Sequence, residues 1–323
     1  MTNHPVEQTL TLTSFAQDVE KGLSSAVKYL SSSYFYDEVG SIIFQQIMDL
    51  PEYYLSRCEA EILSNHCNGF LKTFQTESGF DLIELGAGDG SKTAILLDHF
   101  LKQSVDFTYA AIDISASALE GLETVLKQRF PTLQSKMVAN DYFLGLEALQ
   151  LQSKRRKVIL FMGSTIGNFT NTAAVRFLKK LRQYMNPNDL LCVGYDLKKD
   201  PNLILAAYND NQLVTAEFNY NLLRRMNEEL GANFVVDNFV HAPIYHPQRG
   251  CAESYLLSTK KQNVHIKALD KTFFFDEWEA IHTEVSYKYS VQDMEQLAST
   301  AGFSPKTNFF DAKNYFCNAI LKI

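Results

Sequence analysis

The sequence has no cysteine pair at metal-binding or redox spacing. Its five cysteines (Cys58, Cys67, Cys192, Cys251 and Cys317) are scattered and form no C-x-x-C, so reduced thiols are the simplest reading. The seven histidines make no H-x-x-x-H or H-E-x-x-H pattern, and no metal site is expected. Positive charge is not in excess: 30 Lys and Arg face 37 Asp and Glu, a net charge of −7. That balance argues against a general binder of nucleic acid or of anionic membranes. No stretch reaches the roughly 18 uninterrupted apolar residues of a membrane span. The opening "MTNHPVEQTLTLTSF" has neither the basic start nor the apolar core of a signal peptide, and a cytoplasmic location is expected. Internal repeats and low-complexity tracts are absent as well, and nothing specifies an oligomeric partner. The one basic run, Lys154-Arg155-Arg156-Lys157, precedes the apolar "VILFM" and reads as a solvated loop at the start of a strand.

What is present is a βα rhythm. From residue 80 to about 197, "FDLIELG" is followed by "KTAILLDHFLK", "FTYAAIDIS" by "ALEGLETVLKQRF" and "KVILFMG" by "AAVRFLKKLRQYM"; "DLLCVGYDL" closes the series. Short apolar strands separated by helices of ten or more residues predict a doubly wound, mostly parallel α/β sheet with helices on both faces. In such a sheet ligands sit at the carboxyl ends of the strands, near the reversal of strand order. The tail, a helix "VQDMEQLASTAG" and strands "KTNFFDA" and "YFCNAILKI", would close the sheet with one antiparallel strand.

Two segments fall outside this rhythm. Residues 1–75 are mostly helical in pattern ("FAQDVEKGLSSAVKYL", "EVGSIIFQQIMDL", "CEAEILSNHCNGFL"). Residues 200–286 pass from helical stretches into strand-like ones ("NFVVDNFVHAPIYH", "AESYLLSTKK", "NVHIKAL", "KTFFFD"). The expected organisation is therefore a core at 76–199, completed by 287–323, with an α+β lobe built from 1–75 and 200–286.

"LIELGAGDGSKT" places Glu84, Gly86, Gly88 and Gly90 where the first strand meets its helix. Glycines there allow a tight turn and close approach of the backbone to a small molecule. The spacing is neither a dinucleotide fingerprint nor a phosphate loop. Asp113 ends the second strand pattern in "AAID", where a carboxylate can accept hydrogen bonds from a ribose diol. In "NDYF" after the third, Asp141 and Tyr142 can bond an adenine amino group and cover its ring. In register at successive strand ends, these residues resemble the S-adenosylmethionine site of class I methyltransferases; a nicotinamide dinucleotide is the alternative ligand. "FMGSTIGNFT" ends the fourth strand in Gly163-Ser164-Thr165-Ile166-Gly167-Asn168, a poor core but a suitable loop for presenting backbone and polar groups.

Longer motifs narrow the reading. "YFYDEVGSIIFQQIMDLPEYYLSRCEAEIL", "GSTIGN", "YDLKKDP", "AAYNDNQLVTAEFNYNLLRRMNEELGANF" and "TEVSYKYS" resemble, in the same order, stretches of the ergothioneine-pathway histidine Nα-methyltransferases. The resemblance runs over roughly residues 15 to 323 and implies a class I core with a substrate lobe. It implies that an asparagine and tyrosines hold the amino acid's carboxylate and amine, here Asn168, Tyr36, Tyr53 and Tyr208, and that Glu284 and Ser286 hold an imidazole. Gly86, Lys92, Asp113, Asp141 and Tyr142 match the cofactor side, where Gly88 and Gly163 leave room, while Thr215 and Phe218 border the substrate. Ser254 stands where bacterial members have a methionine lining the substrate side chain. The expected activity is trimethylation of L-histidine by S-adenosylmethionine, with a downstream iron-dependent sulfur-inserting enzyme implied. Two alternatives remain: methylation of another amino acid, tryptophan-like or polyamine-like, and a non-catalytic sensor that only binds the cofactor. Aligning a neutral amine with a methyl group is the main task of such a site, and tyrosine rings suit a growing, finally quaternary, ammonium.

Overall fold

A computed structural model describes residues 5–150 and 153–323; residues 1–4, part of the amino-terminal stretch read above, lie outside it. In chain order the helices are α1 (Pro5–Leu23), α2 (Glu38–Asp49), α3 (Tyr54–Asn65), α4 (Cys67–Phe74), α5 (Thr93–Lys102), α6 (Ala116–Arg129), α7 (Tyr142–Gln150), α8 (Asn171–Arg182), α9 (Pro201–Ala206), α10 (Val214–Leu230) and α11 (Val291–Thr300). The strands are β1 (Phe80–Leu85), β2 (Phe107–Asp113), β3 (Ser135–Ala139), β4 (Arg156–Phe161), β5 (Leu190–Asp196), β6 (Phe239–His241), β7 (Ile244–His246), β8 (Cys251–Ser258), β9 (Gln262–Ile266), β10 (Lys271–Phe275), β11 (Ala280–Tyr287), β12 (Ser304–Phe310) and β13 (Phe316–Lys322). Among the described residues no helix is long and apolar enough to cross a membrane.

The chain divides into two compact units, Leu55–Lys198 with Tyr287–Ile323, and the amino-terminal residues to Tyr54 with Lys199–Ser286. The first, the core unit, is built on a seven-stranded sheet in the order β12-β13-β5-β4-β1-β2-β3. β1 pairs in parallel with both β2 and β4, and β4 with β5. β13 runs antiparallel to β5 and β12, so it alone opposes the other six strands. β1 and β5 are buried along their whole lengths, which is why their apolar residues do not alternate with exposed polar ones; the carboxylates they carry, Asp81, Glu84 and Asp196, are themselves buried. Ile83, Phe161, Val193 and Leu178 belong to its core cluster. Strand order reverses between β1 and β4, so the carboxyl ends of these two strands form the crevice where α/β sheets bind ligands.

The second unit, the lobe, packs α1, α2 and α10 with β8 through β11. Its core includes Phe15, Phe35, Ile47, Phe218, Leu222, Met226, Leu256 and Ile281. β11, β8 and β6 form a sheet, with β7 paired to β8, and β9 and β10 form a separate hairpin.

Several sequence readings change. "FAQDVEKGLSSAVKYL" is helical only to Leu23; beyond it the chain turns back, and Tyr29 bridges His282 in parallel. Gly22 permits that return, because a Cβ there would fall 2.1 Å from the Tyr29 carbonyl oxygen. "CEAEILSNHCNGFL" is two helices broken at His66, and both group with the sheet rather than with the preceding segment. "NFVVDNFVHAPIYH" is not continuous strand: a 3-10 turn covers Val236–Asn238, and β6 and β7 are separated at Ala242-Pro243. Of the basic run only Lys154 is an exposed loop residue. Arg155 pairs with Asp106 at 3.0 Å, Arg156 donates to the carbonyls of Phe74 at 3.1 Å and Asn188 at 2.8 Å, and buried Lys157 pairs with Asp189 at 3.1 Å. Each of these three cations neutralises or caps an element end that sequence pattern alone does not bring near.

Candidate active site

In the core unit the predicted residues collect at the carboxyl ends of the central strands. The ladder continues past β1 and β2: the Gly86 N–H donates to Ile112 O at 2.9 Å and the Asn140 N–H to Asp113 O at 3.0 Å. This brings Gly86, Asp113 and Asp141 to neighbouring strand ends. Gly86 and Gly88 both have positive φ, 73° and 54°. A Cβ on Gly86 would lie 2.8 Å from the Tyr142 hydroxyl, whereas one on Gly88 would meet nothing within 4 Å. The first glycine thus lets Tyr142 close over the turn, and the second faces open space, as a bound cofactor requires.

The Asp113 carboxylate accepts the Ser115 N–H at 3.0 Å; burial raises its pKa while N–H groups of Ser115, Gly88 and Ile114 hold it down. Tyr142 is pushed up to about 12 by burial and by the Asp113 charge, so its hydroxyl remains a donor. The Asp141 carboxylate caps α7, accepting the Phe143 N–H at 2.9 Å. Glu84, buried below the loop, accepts the hydroxyls of Thr93 and Tyr109, each at 2.6 Å. Burial pushes its carboxyl up to about 7, against those two hydrogen bonds and the Lys92 charge.

The "GSTIGN" loop follows β4. Gly163 and Ser164 are both left-handed, with φ of 72° and 57°. For serine this backbone is costly unless its surroundings impose it. Here the Asp196 N–H donates to Ser164 Oγ at 3.2 Å, and the Tyr289 hydroxyl donates to Ile166 O at 3.2 Å. The turn ends in a 3-10 segment, Thr165–Asn168, which leaves Asn168 half-buried. Lys92 precedes α5 and pairs with Glu59 at 2.5 Å. Glu59 is missing from the sequence reading; its only signal is a carboxylate on the apolar face of α3, among buried Leu55, Ile62 and Leu63.

In the lobe the aromatics meet. The Tyr36 ring stands edge-on to Phe44 at 5.3 Å and to Phe218 at 5.6 Å, and Tyr53 edge-on to Phe44 at 6.1 Å. Tyr36 is 43% exposed while Phe218 is buried, so Phe218 is the wall against which Tyr36 leans. Thr215 is buried one turn earlier on α10. Asp210 orients that turn by accepting the N–H groups of Val214 and Thr215, at 2.9 and 2.8 Å, which lower its pKa against burial. Buried Tyr208 lies just before Asp210.

Glu284 and Ser286 lie two apart on β11 and so project from one face. Fully buried Ser254, on β8, donates its hydroxyl to Glu284 Oε2 at 3.2 Å. Ser254 is thus directed at the glutamate, while its own carbonyl accepts the Thr283 hydroxyl at 3.0 Å. Lys288, which could be read as an ion-pair partner of Glu284, pairs with Asp196 at 2.8 Å, both side chains fully buried.

A family model described as histidine-specific, S-adenosylmethionine-dependent methyltransferase matches residues 15–323. The chain belongs to that family. Its core unit is the class I methyltransferase fold, and its cofactor is S-adenosylmethionine. The methyltransferase is similar to a histidine N-alpha-methyltransferase of Mycobacterium tuberculosis, 36% identical over 286 residues that cover 88% of each chain. A protein of the same name from Mycolicibacterium smegmatis is 34% identical with the same coverage. Ergothioneine biosynthesis protein 1 of Neurospora crassa is 30% identical over 297 residues, 89% of this chain and 32% of that longer protein.

The lobe of the methyltransferase also carries a titratable group beside Asp210. His241 Nε2 is buried without a hydrogen-bond partner among the described residues. Burial pushes its pKa down to about 4, and Asp210 only partly opposes this. A base whose folded pKa lies below its unfolded value contributes stability that is present above about 6.5 and lost as pH falls toward 4. The melting temperature is therefore expected to drop between pH 6.5 and 4, and less steeply in His241→Phe. Parallel curves for the two proteins would show that His241 is not a source of that slope.

Proposed function

We propose that the methyltransferase converts L-histidine to Nα,Nα,Nα-trimethyl-L-histidine by three successive methyl transfers, as a step of ergothioneine biosynthesis. The observation that carries this reading is the carboxylate of Glu284, held by Ser254 and flanked on β11 by Ser286. A fixed acceptor beside a hydroxyl complements an imidazole, which offers one N–H and one lone pair. The names of the Mycobacterium tuberculosis and Neurospora crassa relatives support the α-nitrogen and the pathway.

The cofactor, when bound, supplies an electrophilic methyl group on a positively charged sulfur. Gly86, Gly88, Lys92, Asp113, Asp141, Tyr142 and Gly163 would hold it, Asp113 at the ribose diol and Asp141 with Tyr142 at the adenine. In the core unit we assign Asn168 to the amino acid's carboxylate. In the lobe, Tyr208 and Tyr53 orient its carboxylate and amine, and Tyr36 and Phe218 offer aromatic faces to the methylated ammonium. The amine must be neutral to attack, so a proton leaves with each methyl gained; tyrosine hydroxyls can relay it without adding a full charge.

Purified protein incubated with S-adenosylmethionine and an equimolar panel of the twenty amino acids should give, by mass spectrometry, histidine shifted by three methyl groups. A shift of another amino acid would remove the substrate assignment, and no shift would remove the activity. Asn168→Ala and Tyr208→Phe should each raise the KM for histidine far more than that for the cofactor.

A further inference from the structure

Glu59 lies at the junction of four elements of the core unit, and its side chain is fully buried. It comes from α3, which stands outside the βα repeat, yet its two oxygens serve the carboxyl edge of the sheet. Oε2 is 2.5 Å from the Lys92 ammonium. The Gly163 N–H, first in the loop after β4, donates to Oε1 and Oε2 at 3.1 and 3.0 Å. Asn318 of β13 donates to Oε1 at 3.0 Å. The sheet makes room for this carboxylate: a Cβ on Gly194 of β5 would fall 2.5 Å from Oε1.

Burying a carboxylate is unfavourable unless its charge is matched and its lone pairs are filled, and here both conditions hold. Two of the groups it engages, Lys92 and Gly163, are reachable from solvent. Lys92 keeps 23% of its side chain exposed, and a Cβ on Gly163 would lie 3.4 Å from Lys92 Nζ. The ammonium and the first peptide of the loop therefore sit side by side, tied from behind by one acid.

We propose that Glu59 is a positioning residue that pins Lys92 and the Gly163 peptide as one edge for the carboxylate at the amino-acid end of S-adenosylmethionine. A lysine carries large rotamer entropy, and fixing it before the ligand arrives removes that ordering from the binding step. Two further N–H groups of the ammonium remain for a ligand while one is taken by Glu59. The inference rests on the reading of Lys92 as a cofactor contact.

The test compares two ligands of the full-length chain by calorimetry. S-adenosylhomocysteine carries the amino-acid end; 5′-methylthioadenosine lacks it and reports the nucleoside half of the site and the integrity of the fold. Glu59→Gln keeps the shape and an acceptor for Gly163 but removes the charge that holds Lys92. It should weaken S-adenosylhomocysteine about tenfold, roughly the value of one hydrogen bond to a charged group, and leave methylthioadenosine unchanged. Lys92→Met should do the same, and the double variant should be no worse than Lys92→Met alone. If Lys92→Met is selective and Glu59→Gln binds like the parent, Glu59 positions nothing. If Lys92→Met leaves the ratio of the two affinities unchanged, the reading of Lys92 itself fails. Equal weakening of both ligands by Glu59→Gln would make Glu59 a packing residue only. Should Glu59→Gln not fold, Glu59→Asp, which keeps the charge but retracts it by one methylene, must show the same selective loss, and its absence overturns the proposal.

Discussion

Glu284→Ala is expected to reduce kcat/KM for L-histidine about a hundredfold, through KM more than kcat, with the affinity for S-adenosylmethionine unchanged. On the proposed reading this carboxylate accepts an imidazole N–H. A hydrogen bond to a charged group contributes about 1.5–3 kcal/mol, and the substrate donor left without a partner adds to the loss. Discrimination by such a polar contact exceeds what a hydrophobic pocket achieves, so the variant should also lose its preference for histidine over other amino acids. Ser254→Ala should act in the same direction but by about fivefold, because Ser254 orients Glu284 Oε2 from 3.2 Å and a single supporting hydrogen bond contributes on the order of 1 kcal/mol. Steady-state kinetics on histidine and three or four other amino acids decides it. Loss spread equally over all substrates would assign Glu284 to the fold of the lobe instead of to side-chain selection.

The second large effect concerns stability. Lys288 and Asp196 are fully buried and 2.8 Å apart, at the end of β5, where Leu197 bridges Tyr289 in parallel through the Asp196 carbonyl and the Lys198 N–H. Removing one partner of a buried pair leaves the other charge uncompensated and typically costs about 3–5 kcal/mol. Asp196→Ala and Lys288→Ala should each lower the denaturation midpoint in guanidinium by that equivalent. The double replacement Asp196→Leu with Lys288→Met should recover most of it, because an apolar pair of similar volume leaves no charge to desolvate. Single variants as stable as the double would contradict the assignment. The Asp196 N–H also donates to Ser164 Oγ, so the destabilised singles should bind cofactor less well at temperatures where they remain folded.

The βα alternation was legible because strands buried on both faces leave an unmistakable trace. "VILF" and "LLCVGY" carry no charge, and the helix between them buries Ala174, Phe177, Leu178 and Leu181 at the helical period. The antiparallel closing strand was legible too, from two short apolar runs after the last helix. The glycine turn after β1 declared itself because few residues other than glycine accept its positive φ at Gly86 and Gly88.

Other features left no such trace. β11 was absent from the strand reading, since "AIHTEVSY" mixes polar residues on both faces and is held by neighbours in the sheet rather than by its own pattern. Nothing local in "SSAVKYL" announces that the chain leaves its helix to pair with His282; a close approach of Tyr29 to Gly22 decides it. The basic run at 154–157 looks solvated because its partners, Asp81, Asp106 and Asp189, lie far away in sequence.

The sequence by itself determined the class of fold, the glycine turn after β1 and the family, because these rest on local periodicity, on residues with unusual backbone freedom and on long ordered motifs. Only the tertiary structure decided which polar groups meet. It placed Glu59 against Lys92 and Gly163, Ser254 against Glu284, and Lys288 against Asp196. Charge pairing and hydrogen bonding act over a few ångströms between residues up to hundreds of positions apart, and no spacing along the chain encodes that distance.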